Sequence, residues 1–135
     1  MLQSFKVDQA ATFASVILLS VEPKLAYRSV EQERTSDGVP RWEAQLVVGF
    51  RQFGRVVNEV IKVGLVSHTN PGDAVSSYTP VELVDFEIGV MPSEREDKET
   101  GQKVITGVRV WYRCSEIRST SAVGTVRRLG AVGGE

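Results

Sequence analysis

Arg109, Trp111 and Arg113 stand at every second position of the run Val104–Ile117, which reads VITGVRVWYRCSEI. Alternate side chains of an extended strand share a face, so these three form a basic–aromatic–basic row. Val108, Val110, Tyr112 and Cys114 then point the other way, toward a core. A ring between two guanidinium groups can stack a base while the cations hold phosphates, the chemistry of single-stranded nucleic-acid binding. Arginine and aromatic residues are also enriched where proteins meet, so a second subunit or element over this strand is the alternative explanation of the row.

Further cations with the same potential role are Arg41 and Arg51 at the two ends of a predicted strand, Arg55 in the turn after it, and Lys62 on the outward parity of the returning strand. Tyr27 and Arg28, on an early strand, add a second ring and charge. Trp42 shares parity with Leu46, Val48 and Phe50 and is assigned to the core.

The parts needed for catalysis are missing. His68 is the only histidine and falls in a turn-rich stretch, where a solvated imidazole is expected. Cys114 is the only cysteine, and its inward parity predicts an inert buried thiol. One histidine and one cysteine cannot assemble a zinc set. No serine stands in a GxSxG turn, and neither GxxxxGK[ST] nor GxGxxG occurs. Asp85 and Glu87 share a strand face, as carboxylates on any exposed strand do. The expectation is a non-enzymatic protein without metal or cofactor.

The elements that must position the basic row are mostly strands. Phe13–Val21 is apolar on both faces, which suits a central or strongly curved strand. Pro23 interrupts it, and Leu25–Val30 resumes it or opens a new strand. Glu31–Pro40 is a polar loop with an Asp37-Gly38 turn signal. Trp42–Phe50 alternates cleanly, Arg51–Arg55 is a tight connection with Gly54 at its turn, and Val56–Leu65 returns, so residues 42–65 read as a hairpin. Val57, Ile61, Val63 and Leu65 face inward; Glu59 breaks the parity and marks either a bulge or an exposed strand start. Ser67–Pro80 is loop, with a strong turn at Asn70–Asp73. Val81–Met91 alternates with Val84, Phe86, Ile88 and Val90 inward. Pro92–Lys103 is a charged loop, and Val104–Ile117 closes the domain. No segment holds a helical period over more than about three turns.

At 135 residues, 41% hydrophobic and 24% charged, the chain suits one globular domain with its own core. The formal net charge of -1 supplies no global positive field, so nucleic acid would have to be held by a local patch. A lone cysteine fits a reducing compartment. Val16–Leu19 is too short to span a bilayer and the first twenty residues lack the pattern of a signal peptide, so a cytoplasmic protein without membrane contact is expected.

The stretch Asp37–Val48 (DGVPRWEAQLVV) follows a loop rich in glutamate and glutamine, and enters a strand through a Gly-x-Pro-x-Trp turn. It resembles small accessory proteins of actinobacterial plasmids and integrative conjugative elements, the replication, integration and excision activators, over roughly residues 16–118. The resemblance implies a cytoplasmic, non-enzymatic role in mobile-element DNA processing and transfers no catalytic residue.

The fold expected is all-β: a small OB-like barrel of about five strands over residues 1–118, with a flexible tail over 119–135 that holds Gly124, Gly130, Gly133 and Gly134 beside Arg127 and Arg128. A generic six- or seven-stranded barrel or a sandwich fits the same pattern. The function expected is single-stranded-DNA binding in plasmid or mobile-element replication or transfer, with replication or conjugation proteins as partners. The alternative is a homo-oligomeric β-barrel interaction module that binds no nucleic acid.

Overall fold

The computed structural model describes residues 3–120. In chain order the elements are β1 (Gln3–Lys6), α1 (Gln9–Thr12), β2 (Ser15–Pro23), β3 (Arg41–Gln52), β4 (Arg55–Val66), β5 (Val81–Val84), β6 (Glu87–Glu96), β7 (Lys103–Arg113) and β8 (Glu116–Ser119), with a 3-10 turn at Pro71–Ala74. Six strands form one sheet in the order β1-β6-β7-β4-β3-β2, and β5 pairs with β8. The larger sheet curls into a half-barrel, so the all-β, barrel-like expectation holds. The described residues contain eight strands rather than about five, because two of the expected strands are each divided in two and the four-residue β1 is too short to show alternation.

The hairpin β3–β4 is the best-defined element. Twelve pairs run without a shift from Arg41↔Val66 to Gln52↔Arg55. Ala44, Leu46 and Val48 on β3 and Ile61, Val63 and Leu65 on β4 are buried on its inner side. The β5–β8 pair adds Val81, Leu83 and Ile117, and Val16, Leu18, Val75, Phe86 and Cys114 complete a single core cluster. Phe86 lies between the rings of Phe13, at 5.9 Å, and Tyr112, at 6.1 Å. Trp42 packs against this cluster, as expected, and its indole N–H donates to the Ser67 carbonyl at 2.8 Å.

Several expected strands are divided or displaced. The run Val104–Ile117 is two strands: β7 ends at Arg113, and after Cys114–Ser115 the chain crosses into the smaller sheet as β8. Val81–Met91 is likewise two strands, broken at Asp85, which takes φ +53°. The break inverts the parity of the first half, so that Val81 and Leu83 are buried and Val84 only partly covered, while Phe86 stays inward. An aspartate tolerates the left-handed conformation, so no glycine or proline marks the break. β2 is an edge strand of the larger sheet with a bulge between Leu18 and Ser20, and residues 25–30 form no regular strand. Glu59 lies in the exposed first half of β4 in unbroken register.

Val108 and Val110 are not core residues; Val108 is 61% exposed. β4 and β7 pair only at Val63↔Tyr112 and Gly64↔Arg113 and diverge beyond that point. Among the described residues β1 covers β6 no farther than Val90. The rest of β6 and β7 is therefore a two-stranded ribbon extending from the body. Most of the expected charged loop Pro92–Lys103 is strand in this ribbon, with the turn confined to residues 97–102. Alternation was read correctly for β7, but among the described residues no layer covers the apolar side of its first half.

β8 continues to Ser119, which pairs with Val81, and the Thr120 amide donates to the Pro80 carbonyl at 3.2 Å. The remainder of the expected tail lies outside the described residues.

Candidate nucleic-acid interface

The place where β4 and β7 meet carries most of the predicted row. Arg109, Trp111 and Arg113 lie on the face of β7 away from the core, opposite Met91, Gly89 and Glu87 of β6. Gly64 of β4 stands beside Arg113. Around this point a groove of about 450 Å³ opens, with Lys24, Arg41, Lys62, Trp111, Arg113 and Glu43 among its lining residues. Four of the nine predicted site residues are thus brought together, and Lys24 is an addition that strand parity could not reveal because it follows β2.

Trp111 is half-buried, and the reason is Gly89. A Cβ placed on Gly89 would fall within the indole ring, so the ring lies directly on the glycine backbone. The Arg113 guanidinium lies over the ring at 4.9 Å from its centroid. The same guanidinium donates to Glu87 Oε1 at 2.8 Å, and Lys6 Nζ is 3.1 Å from Glu87 Oε2. Lys6, Glu87 and Arg113 therefore form a ladder across β1, β6 and β7. The two cations hold the Glu87 carboxyl below its usual range, Arg113 more than Lys6.

The other cations divide by their partners. Lys24 and Arg41 share Glu33, at 3.3 and 3.5 Å. Lys62 and Arg109 have no ion pair among the described residues. Exposed pairs contribute little, about 0–1 kcal/mol, so exchanging a carboxylate for a phosphate at Lys24, Arg41 or Arg113 costs little. Gly64 leaves the groove floor open: a Cβ there would meet nothing closer than the Tyr112 carbonyl oxygen at 3.8 Å.

The remaining predicted residues lie elsewhere. Arg51 and Arg55 flank the tip of the β3–β4 hairpin, about 30 Å along the strand from Gly64. Tyr27 and Arg28 are in the loop after β2 rather than on a strand; they stack on each other at 5.2 Å, and neither lines the groove. His68 is exposed in its loop, and burial raises the Cys114 thiol to about 12. Phe53, between Gln52 and Gly54 at the hairpin tip, was not singled out by parity, because a turn residue belongs to neither face.

No protein-family model matches this chain, and no curated protein matches it. Among the described residues no helix is long and apolar enough to cross a membrane.

Proposed function

We propose that the β4–β7 groove binds single-stranded nucleic acid, and that the protein is a non-enzymatic accessory in mobile-element or plasmid DNA processing. The observation that carries this reading is the convergence of Lys24, Arg41, Lys62 and Arg113 around the half-buried Trp111 in one open groove. Bases stack on aromatic rings and on guanidinium planes, and the Trp111–Arg113 stack offers both. The cations reach phosphates on either side. The resemblance of the Asp37–Val48 stretch supports DNA over RNA and supports replication or conjugation proteins as neighbours.

The test is a titration with fluorescently labelled oligo-dT at two salt concentrations, read by anisotropy and by tryptophan fluorescence. Salt-sensitive binding with quenching is expected, weakened by Trp111→Ala by about 1–3 kcal/mol. Lys62→Ala, an exposed substitution that leaves the stack intact, should weaken it as well. Absence of binding at low salt, or binding indifferent to both substitutions, refutes the groove as the site.

A second reading has its own observation. Val104, Ile105, Val108 and Val110 are exposed on a ribbon whose β7 edge is unpaired before Tyr112 among the described residues. Such an edge is a template for strand addition, and homo-oligomers use it. Light scattering of the wild type and of Val108→Lys separates the readings: an oligomer that dissociates in the variant, with no oligo-dT binding in either form, favours the interaction module.

A further inference from the structure

Phe53 is the most exposed large apolar residue described, at 95%. It occupies the first position of the two-residue loop Phe53–Gly54, between the paired residues Gln52 and Arg55. Both loop residues have positive φ, +53° and +76°. A two-residue hairpin loop with this geometry is a type I′ turn, and its first position favours asparagine, aspartate or glycine. A bulky side chain in the left-handed region is strained and uncommon. The fold gains nothing in return, since the ring is almost wholly in water. The residue is explained neither by the turn nor by packing.

Its surroundings say what the ring would meet. From Ala44 to Asn58 the chain has no carboxylate, and it carries Arg51 and Arg55. In a protein of net charge -1 this is a locally cationic arm. The arm is held in one register by twelve pairs, so the ring and the two arginines stay together at its end. By alternation Arg51 shares the outer face with Arg41 and Lys62, which line the groove. Arg55, opposite Gln52, belongs by register to the other face of the hairpin, so the ring stands at the end of the arm with one guanidinium on each side, as a base stands between its neighbouring phosphates. Val56 and Val57, 49% and 36% exposed, add apolar surface near the tip, but Gln52, Arg51 and Arg55 are the ring's nearest chain neighbours besides Gly54, which favours a polyanion over a lipid interior.

We infer that the β3–β4 tip is a second nucleic-acid contact, in which Phe53 stacks on a base of a strand whose phosphates Arg51 and Arg55 hold. The inference rests on the single-strand reading of the groove and names the residues that grip the strand about 30 Å away from it.

The experiment compares Phe53→Asn, Phe53→Trp and Trp111→Ala with the wild type, using labelled (dT)20 and, separately, vesicles containing anionic lipid. Asparagine suits the turn, so Phe53→Asn should fold with an unchanged or higher thermal midpoint. Its affinity for (dT)20 should fall about 5- to 150-fold, and Phe53→Trp, which keeps a ring, should bind as the wild type does. Wild-type affinity in Phe53→Asn, with a loss in Trp111→Ala, overturns the tip contact and leaves the groove reading standing. No (dT)20 binding by the wild type overturns both. Vesicle binding that Phe53→Asn abolishes, without any effect on (dT)20, reassigns the tip to a lipid surface and overturns the inference.

Discussion

Gly89 decides where Trp111 can be. With no side chain on Gly89, the indole settles on the sheet and presents itself beneath Arg113. Gly89→Ala should expel the ring. A small-to-large change of this kind costs about 1–3 kcal/mol, seen as a lower denaturation midpoint, and the freed indole should emit at longer wavelength. Two titrating groups make separate statements about pH. The folded Glu87 carboxyl lies below the ordinary value of 4.5, so its ladder with Arg113 and Lys6 contributes fully above that value and is lost as pH falls through the lower folded one. The Cys114 thiol is raised from 9.0 to about 12, so its contribution is complete below pH 9 and declines as pH rises toward 12. At pH 8 the native thiol should resist alkylation by iodoacetamide, and unfolding in guanidinium should expose it. Rapid labelling of the folded protein would contradict its burial.

At the scale of elements, the groove exists because two hairpins meet at only two residue pairs and then part. Its floor is Gly64, which has an ordinary backbone conformation and space above it. Gly64→Leu should fill the groove without straining β4, and a side chain there should favour the strand. The expected result is an unchanged or raised thermal midpoint together with loss of oligo-dT binding. Retained binding would place the nucleic acid elsewhere. The hairpin itself was legible in the sequence because Trp42–Phe50 alternates, the second half of β4 alternates with it, and Gly54 punctuates the turn; the parity break at Glu59 falls in the exposed first half of β4. The divisions at Asp85 and at Cys114–Ser115 were not legible, since neither is marked by proline or glycine. Alternation showed which β7 residues share a face and was right for Arg109, Trp111 and Arg113. It could not show that Val108 and Val110 lack a cover, because coverage is a property of the neighbouring layers. Phe53 did leave a signal: an aromatic in the Phe53-Gly54 slot, where a hairpin turn ordinarily has asparagine.

For the molecule as a whole, a formal charge of -1 conceals an uneven distribution. The turn end of the β6–β7 ribbon, residues 94–102, holds Glu94, Glu96, Asp97 and Glu99 against Arg95 and Lys98, a local balance of -2 (four negative, two positive). The β3–β4 arm has two arginines and no acid from position 44 to 58. A polyanion entering the groove between the diverging hairpins is therefore drawn along the β3–β4 arm and repelled from the ribbon's end. This makes the salt dependence quantitative. Each phosphate neutralised on a single strand contributes about -0.7 to the slope of log K against log salt. If Lys24, Arg41, Lys62, Arg109 and Arg113 all engage, the slope is about -3.5, and adding Arg51 and Arg55 brings it to about -5. Replacing both tip arginines by alanine should reduce the magnitude of the slope by about 1.4, whereas neutralising Glu96 and Glu99 should leave it nearly unchanged, because no phosphate lies against them. Anisotropy titrations across a salt series measure both, and a slope indifferent to the tip arginines would confine the strand to the groove.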